Sequence, residues 1–437
     1  MQVSIETTSG LERRMTVGVP ATQVDTEVEK RLKEAAKTVR INGFRAGKVP
    51  AKVVKQRYGA GVRQEVLGEV ISRSFYEAVQ KEEVRPAGQP AIEPKENTEG
   101  QDFEYIATFE VYPDVALQDL SSFEVTKLSA EVTDADLDKM VDVLRKQQAS
   151  WSVVERAAAT DDQVNIDFNG TKDGEEFAGG KADAHDLVLG SGAMIPGFED
   201  GIAGLKAGEE KTIALTFPED YQAEELQGAA VEFSIKVNTV SEQQLPELNA
   251  EFFSKYGVES DDEAKFREDV KSNMGRELKN AAKAKVKSQV MDQLVEAHEV
   301  AIPTALIGGE IEALRAQMMQ QFGGQKLDFD VKSLLPDEMF TEQAERRVVL
   351  GLIVGELIKA NDIKVDADGV RKAVEELAST YQDPQEVVDY YYGNQQMLSG
   401  VESVVLEDQV VDFVLASAKV TETESSYEEV IKQEAAE

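Results

Sequence analysis

The sequence predicts a multidomain α+β protein: an N-terminal α+β domain, an inserted antiparallel β-sheet domain with a short helix, and an all-α C-terminal domain. Three observations predict it. At 437 residues the chain is too long for one ordinary core, so two to four domains are expected. The apolar period changes along the chain, mixed up to about residue 112, strand-like and glycine-rich over 151–244, and helical beyond. Charge partitions as well. Residues 1–110 carry 17 basic and 17 acidic side chains, the remainder 30 and 66, so the whole formal charge of −36 lies beyond residue 110.

In chain order, Val3 and Ile5, then Met15, Val17 and Val19, alternate and predict two strands around a turn. A helix follows from about Thr22, with Val24, Val28, Leu32, Ala35 and Val39 on one stripe. After a basic loop, Pro50 suits the first turn of another helix. Gly59-Ala60-Gly61 reads as its interruption, before a successor marked by Val62, Val66, Ile71, Phe75 and Val79. Phe103, Tyr105, Ala107, Phe109 and Val111 alternate, and the first domain closes at about residue 112.

Residues 113–150 read as a connecting strand and helix, the helix carrying Leu137, Met140, Val141 and Leu144. Over 151–244, three runs alternate: Val164 to Phe168, Ile213 to Phe217, and Val231 to Val237. Turns are expected at Asp173-Gly174 and at Gly179-Gly180, and a short helix near Gly197 to Ile202. From 245 to 437 the pattern is helical. Phe266, Val270, Met274, Leu278, Ala282, Val286, Val290 and Leu294 recur every four residues. A period of four drifts around a 3.6-residue helix, so this stripe should meet more than one partner. The tail after Val420 is polar and acidic and is expected to fray.

Composition narrows the chemistry. With no cysteine there are no disulfides, thiol nucleophiles or thiolate metal sites, and two histidines, His185 and His298, make a poor basis for a metal cluster or a His-dependent triad. No metal and no cofactor are expected. Residues 1–6 show no signal-peptide pattern. The apolar run from Val348 to Leu357 is about half a membrane span and contains Glu356, so no membrane partner is expected and the protein is read as cytoplasmic.

One window departs from the acidic background. No acid lies between Glu34 and Glu65, yet Lys37, Arg40, Arg45, Lys48, Lys52, Lys55, Arg57 and Arg63 are all there. At its centre, Asn42-Gly43-Phe44-Arg45-Ala46-Gly47-Lys48-Val49-Pro50 holds two glycines that allow a tight tip presenting Phe44, Arg45 and Lys48. By residue type alone this is either a solvated helix-loop-helix surface or a contact for an anionic, RNA-rich particle. The stretch resembles the ribosome-docking signature of the trigger factor family, Gly-Phe-Arg-x-Gly-x-x-Pro, through Gly43, Phe44, Arg45, Gly47 and Pro50. The resemblance extends in domain order over essentially the whole chain. It implies docking of residues 1–112 on the large ribosomal subunit at the exit tunnel, and a helical body, 245–437 with 113–150, that cradles nascent or unfolded polypeptides. It also implies a homodimer away from the ribosome.

The 151–244 block resembles FKBP-type prolyl isomerases through Val164-x-Ile-x-Phe-x-Gly170, Asp173-Gly174-x-x-Phe177, Met194-Ile195-Pro196-Gly197-Phe198-Glu199 and Phe233. The resemblance implies a pocket with Phe168, Phe177, Met194, Ile195 and Phe233 as lining, Phe198 as floor and Tyr221 at the lip. Two positions depart from the family. Ala178 stands where an acid often follows the phenylalanine, and His185 stands in place of a pocket aromatic. An apolar cup suits this reaction, because rotation about X-Pro loses amide resonance and needs no nucleophile. The same aromatics also fit the plain core of a small β domain.

The implied function is a ribosome-associated, ATP-independent chaperone that also isomerises X-Pro bonds. The residues leave two other readings, a free-standing prolyl isomerase and a non-ribosomal RNA or protein scaffold. Met318, Met319 and Phe322 offer an adaptable client surface or helix core, and Tyr390-Tyr391-Tyr392 is read as packing at a helix end.

Overall fold

The computed structural model describes residues 1–39, 44, 49–95, 98, 100–258, 261–321, 331–379, 381 and 383–432. The chain forms two compact units, Met1–Lys127 with Ala284–Glu422, and Leu128–Lys283 with Thr423–Glu437.

Strands β1 (Gln2–Ser9) and β2 (Glu12–Val19) form a hairpin. Helices α1 (Ala21–Thr38) and α2 (Ala51–Lys81) follow, then β3 (Ala91–Pro94) and β4 (Phe103–Glu110), in an antiparallel sheet of order β1-β2-β4-β3. Alternate residues Met15, Val17 and Val19, with Phe103, Tyr105 and Phe109, share a core with Val24, Val28 and Leu32 of α1 and Val54, Val66 and Val70 of α2. Helix α2 runs through Gly59-Ala60-Gly61, which corrects the expected interruption. Glycine costs about 1 kcal/mol in a helix, and the apolar contacts of Val54, Val62 and Val66 on either side offset it. Strand β3 carried no alternation strong enough to predict.

β5 (Glu124–Ser129) and α3 (Asp134–Gln147) connect to the middle sheet, and α3 begins on a capping box between Thr133 and Asp136. The sheet comprises β6 (Ser150–Val154), β7 (Gln163–Lys172), β8 (Glu175–Val188), β9 (Glu210–Thr216) and β10 (Ala230–Gln244), with the five-residue helix α4 (Phe198–Ile202) before β9. The order is β6-β10-β7-β8 with β9 also on β10, all antiparallel. The turn at Asp173-Gly174 forms with both residues at positive φ. Gly179-Gly180 does not turn the chain; it lies inside β8, where the register against β7 shifts and Gly179 alone takes a φ of 81°.

α5 (Ala250–Ser254) leads to α6 (Glu263–Ala297), then α7 (Thr304–Gln321), α8 (Val331–Leu334), α9 (Thr341–Ala360), α10 (Ala367–Ala378), α11 (Pro384–Gly393) and α12 (Gln395–Ser417). The drifting stripe of α6 does meet two sets of partners. Phe266, Val270, Met274 and Leu278 pack with Leu137, Val141, Phe252 and Phe253. Val286, Val290 and Leu294 pack with Phe123, Val125, Ile353 and Val414. The described part of the tail, to residue 432, is ordered where fraying was expected. β11 (Lys419–Glu424) pairs with β5, and α13 (Tyr427–Ile431) buries Tyr427 and Val430 behind a capping box of Ser426 and Glu429. Two apolar anchors among acids are a weak sequence signal but hold a short helix well. Among the described residues, no helix is long and apolar enough to cross a membrane.

Candidate active site

The middle sheet curls around α4 and brings phenylalanines from four elements together. β7 supplies Phe168, β8 Phe177, α4 Phe198 and β10 Phe233. Phe198 is fully buried and meets Phe233 edge-on at 5.1 Å between ring centres and Phe168 at 5.6 Å. Phe177 stands edge-on to Phe233 at 6.0 Å. These are favourable T-shaped contacts, each worth about 0.5–1.5 kcal/mol beyond burial. Phe217, which the sequence reading did not single out, joins the wall by touching Phe177 at 5.9 Å and Tyr221 at 4.5 Å. Its place at the end of an alternating strand was the available signal.

Two glycines make room for the rings. A Cβ on Gly170 would lie 2.6 Å from Phe233 and 2.9 Å from Phe177, and one on Gly180 would lie 2.8 Å from Phe177. The register shift at Gly179-Gly180 is therefore part of seating Phe177. Exposure is graded. The floor is closed, with Phe168, Phe198 and Phe233 all buried, while Phe177, Met194, Ile195 and Tyr221 at the rim are half-buried. All seven residues expected of the pocket pack in this one cluster.

The departures find places too. His185 is exposed and stands edge-on to Phe168 at 5.9 Å. Next to it, Ala184 has a φ of 51°, held by its N–H donating to Asp167 at 2.7 Å. That bond, then one from Asn238, lowers the Asp167 pKa. Ala178 is exposed and contributes no charge at the rim.

Met194 and Ile195 lie on the segment between β8 and α4. The Glu199 carboxylate accepts from the backbone N–H of Gly190 at 2.6 Å, and from Gly192, Met194 and the Ser191 hydroxyl at 3.3 Å each. Burial acts to raise the Glu199 pKa, but these hydrogen bonds outweigh it and hold the group below its ordinary range.

Of the expected docking tip, Phe44 is exposed, Pro50 is exposed at the start of α2, and Val49 beside it is buried. Gly43, Arg45, Gly47 and Lys48, with Arg40, lie outside the described residues, as does Phe322. Lys37, Lys52 and Arg57 are exposed. Arg63 instead turns inward onto Asp25 at 2.8 Å and leaves the cationic face.

The sequence matches the family model for bacterial trigger factor protein over residues 1–144, FKBP-type peptidyl-prolyl cis-trans isomerase over 154–238, and bacterial trigger factor protein C-terminus over 264–416. It is 66% identical over 435 residues to the trigger factor of Cellvibrio japonicus, covering 100% of both chains. The chain belongs to the trigger factor family. The trigger factor of Saccharophagus degradans is 60% identical over 436 residues, covering 99% of this chain and 98% of that one. A solved structure from "Promiscuous Substrate Recognition in Folding and Assembly Activities of the Trigger Factor Chaperone" shares the fold, with a TM-score of 0.50, 18% identity, and coverage of 95% of this chain and 99% of that one. Trigger factor family membership makes the chain a chaperone with an FKBP-type peptidyl-prolyl isomerase domain, flanked on both sides by trigger factor sequence. A free-standing isomerase and a non-ribosomal scaffold are thereby set aside.

Proposed function

We propose that the chain is an ATP-independent chaperone of the cytoplasm that meets nascent polypeptides at the ribosomal exit tunnel and isomerises their X-Pro bonds. In this reading residues 1–112 dock on the large subunit through Gly43, Phe44, Arg45, Gly47, Lys48 and Pro50. Residues 151–244 isomerise, and 245–437 with 113–150 cradle the client. The last grouping is supported by α3, whose Leu137 and Val141 share a core with Phe253 and Phe266. Away from the ribosome, two copies of the chain pair in a homodimer.

In the isomerase the proline ring sits over Phe198 between Phe168, Phe177 and Phe233, with Met194, Ile195 and Tyr221 closing on the neighbouring residues. Uncatalysed X-Pro exchange takes tens to hundreds of seconds, against a barrier of roughly 18–20 kcal/mol. The twisted amide has lost resonance and with it part of its solvation. An apolar cup shaped to the twisted form therefore stabilises the transition state more than the planar bond. Neither metal nor nucleophile is required by that chemistry. Synthesis at about 5–20 residues per second delivers a domain of roughly 100 residues before such bonds equilibrate.

The observation that carries the isomerase reading is the graded exposure of the cluster, since a plain core would bury its rim. Ile195→Ala and Tyr221→Ala test it, as both remove rim surface and leave the floor intact. The reading predicts at least a tenfold loss of kcat/KM on a short peptide with a Leu-Pro bond, at unchanged circular dichroism. Unchanged kcat/KM in both would return the cluster to a core.

A further inference from the structure

The lip residues Met194 and Ile195 lie on a stretch that should be loose. Residues 190–197 have no regular structure, and Gly190, Gly192 and Gly197 all take positive φ, at 93°, 69° and 86°. Such backbone samples many conformations unless something gathers it. Here one side chain does. Four donors from residues 190–194 converge on the Glu199 carboxylate, three of them main-chain N–H groups. Among the described residues Glu199 makes no ion pair, so its carboxylate is committed to this stretch. Glu199 also adjoins the floor residue Phe198 on the same short helix, and Phe198 N–H donates to Ile195 O at 3.1 Å. Floor and lip are thus tied from both sides.

We propose that Glu199 is a positioning residue for prolyl isomerisation, whose carboxylate gathers residues 190–194 and thereby sets Met194 and Ile195 at the correct height above Phe198. The inference rests on the reading of the aromatic cup as the isomerase site. Hydrogen bonds to an ionised acceptor are the stronger ones. A neutral amide in its place accepts through one oxygen only and turns an NH2 toward the other donors. A displacement near 1 Å at a reacting site costs up to about a hundredfold in rate.

The test uses the full chain and a peptide with a Leu-Pro bond. Glu199→Gln and Glu199→Asp are compared with Ile195→Ala and with Glu209→Gln, a carboxylate that accepts the Lys206 N–H in a turn away from the cup. The readouts are kcat and KM separately, and the amide resonances of Gly190, Gly192 and Met194. Expected are an approximately tenfold lower kcat/KM for Glu199→Gln, mostly in kcat, with all three resonances moved, and neither change for Glu209→Gln. If Glu199→Gln fails to fold, folded Glu199→Asp carries the test and shows the same loss, its shorter reach withdrawing the acceptor. Moved resonances with kcat/KM within twofold of the parent overturn the proposal, while loss of activity in Ile195→Ala leaves the cup reading standing. Full activity in both Ile195→Ala and Tyr221→Ala overturns the cup reading and this proposal with it.

Discussion

Gly170→Ala adds one methyl group and should disable the isomerase. Gly170 lies on β7 directly opposite Phe233 of β10. The new Cβ would sit 2.6 Å from the Phe233 ring and 2.9 Å from that of Phe177. Carbon atoms rest at about 3.5–4.0 Å, so both rings must retreat, by roughly 0.5–1 Å. Phe233 is hemmed in by Phe198 at 5.1 Å and Phe168 at 6.1 Å. Phe177, half-buried at the rim, has the more room to move, and its departure together with the shift of Phe233 opens one wall of the cup. Overpacking of this kind costs about 1–3 kcal/mol, and about 4–8 °C of melting temperature per kcal/mol in a domain of this size. A 1 Å displacement of the wall should lower kcat/KM by at least tenfold. Differential scanning calorimetry and peptide isomerisation read the two effects separately. A variant with unchanged melting and kcat/KM within twofold of the parent would refute the packing on which the cup depends.

Three further outcomes follow from particular contacts. Gly61→Ala should stabilise the chain by about 0.5–1 kcal/mol, since a Cβ there meets nothing within 4 Å inside a continuous helix; destabilisation in thermal unfolding would restore a break at that point. Asp162 is buried, accepts from Arg156 Nη2 at 2.8 Å and from the Ala159 N–H at 2.8 Å, and these bonds, Arg156 first, lower its pKa against the opposing effect of burial. A lowered folded pKa gives stability that is present above the ordinary aspartate value near 4 and lost as pH falls. Asp162→Asn should therefore cost about 1–2 kcal/mol at pH 7, modest because Arg156 stays half in water, and the gap in denaturant unfolding should close below about pH 4. Burial first, and then the hydrogen bond to Glu277, push the Tyr427 hydroxyl up to about 12. Its stability contribution is full below the ordinary tyrosine value near 10 and fades as pH rises toward 12; Tyr427→Phe should lose that alkaline dependence, and an unaltered profile would contradict it.

What the sequence made legible was what repeats. Alternation at Met15, Val17 and Val19 named the face of β2 that packs on the helices. The four-residue period of α6 foretold two sets of partners because the drift follows from helix geometry alone. Glycines were harder to read. Gly59 to Gly61 and Gly179-Gly180 carry the same residue type as a turn, but the packing around them decides whether the chain breaks, and packing is a tertiary fact. Tyr427 and Val430 anchor a tail whose composition pointed to fraying, since two buried side chains outweigh many solvated acids. At the cup, every aromatic but Phe217 was legible by family pattern. The Glu199 contacts were not, because a carboxylate gathering backbone N–H groups leaves no periodic trace.

The claim that the chain acts at the ribosome is tested most directly by co-sedimentation of the full protein and a Phe44→Ala/Arg45→Ala/Lys48→Ala variant with purified bacterial ribosomes. The account predicts that the parent pellets with the large subunit, that the variant stays in the supernatant, and that both show the same circular dichroism and the same peptide isomerisation. Equal pelleting of the two, or pelleting of neither, would contradict docking through this tip.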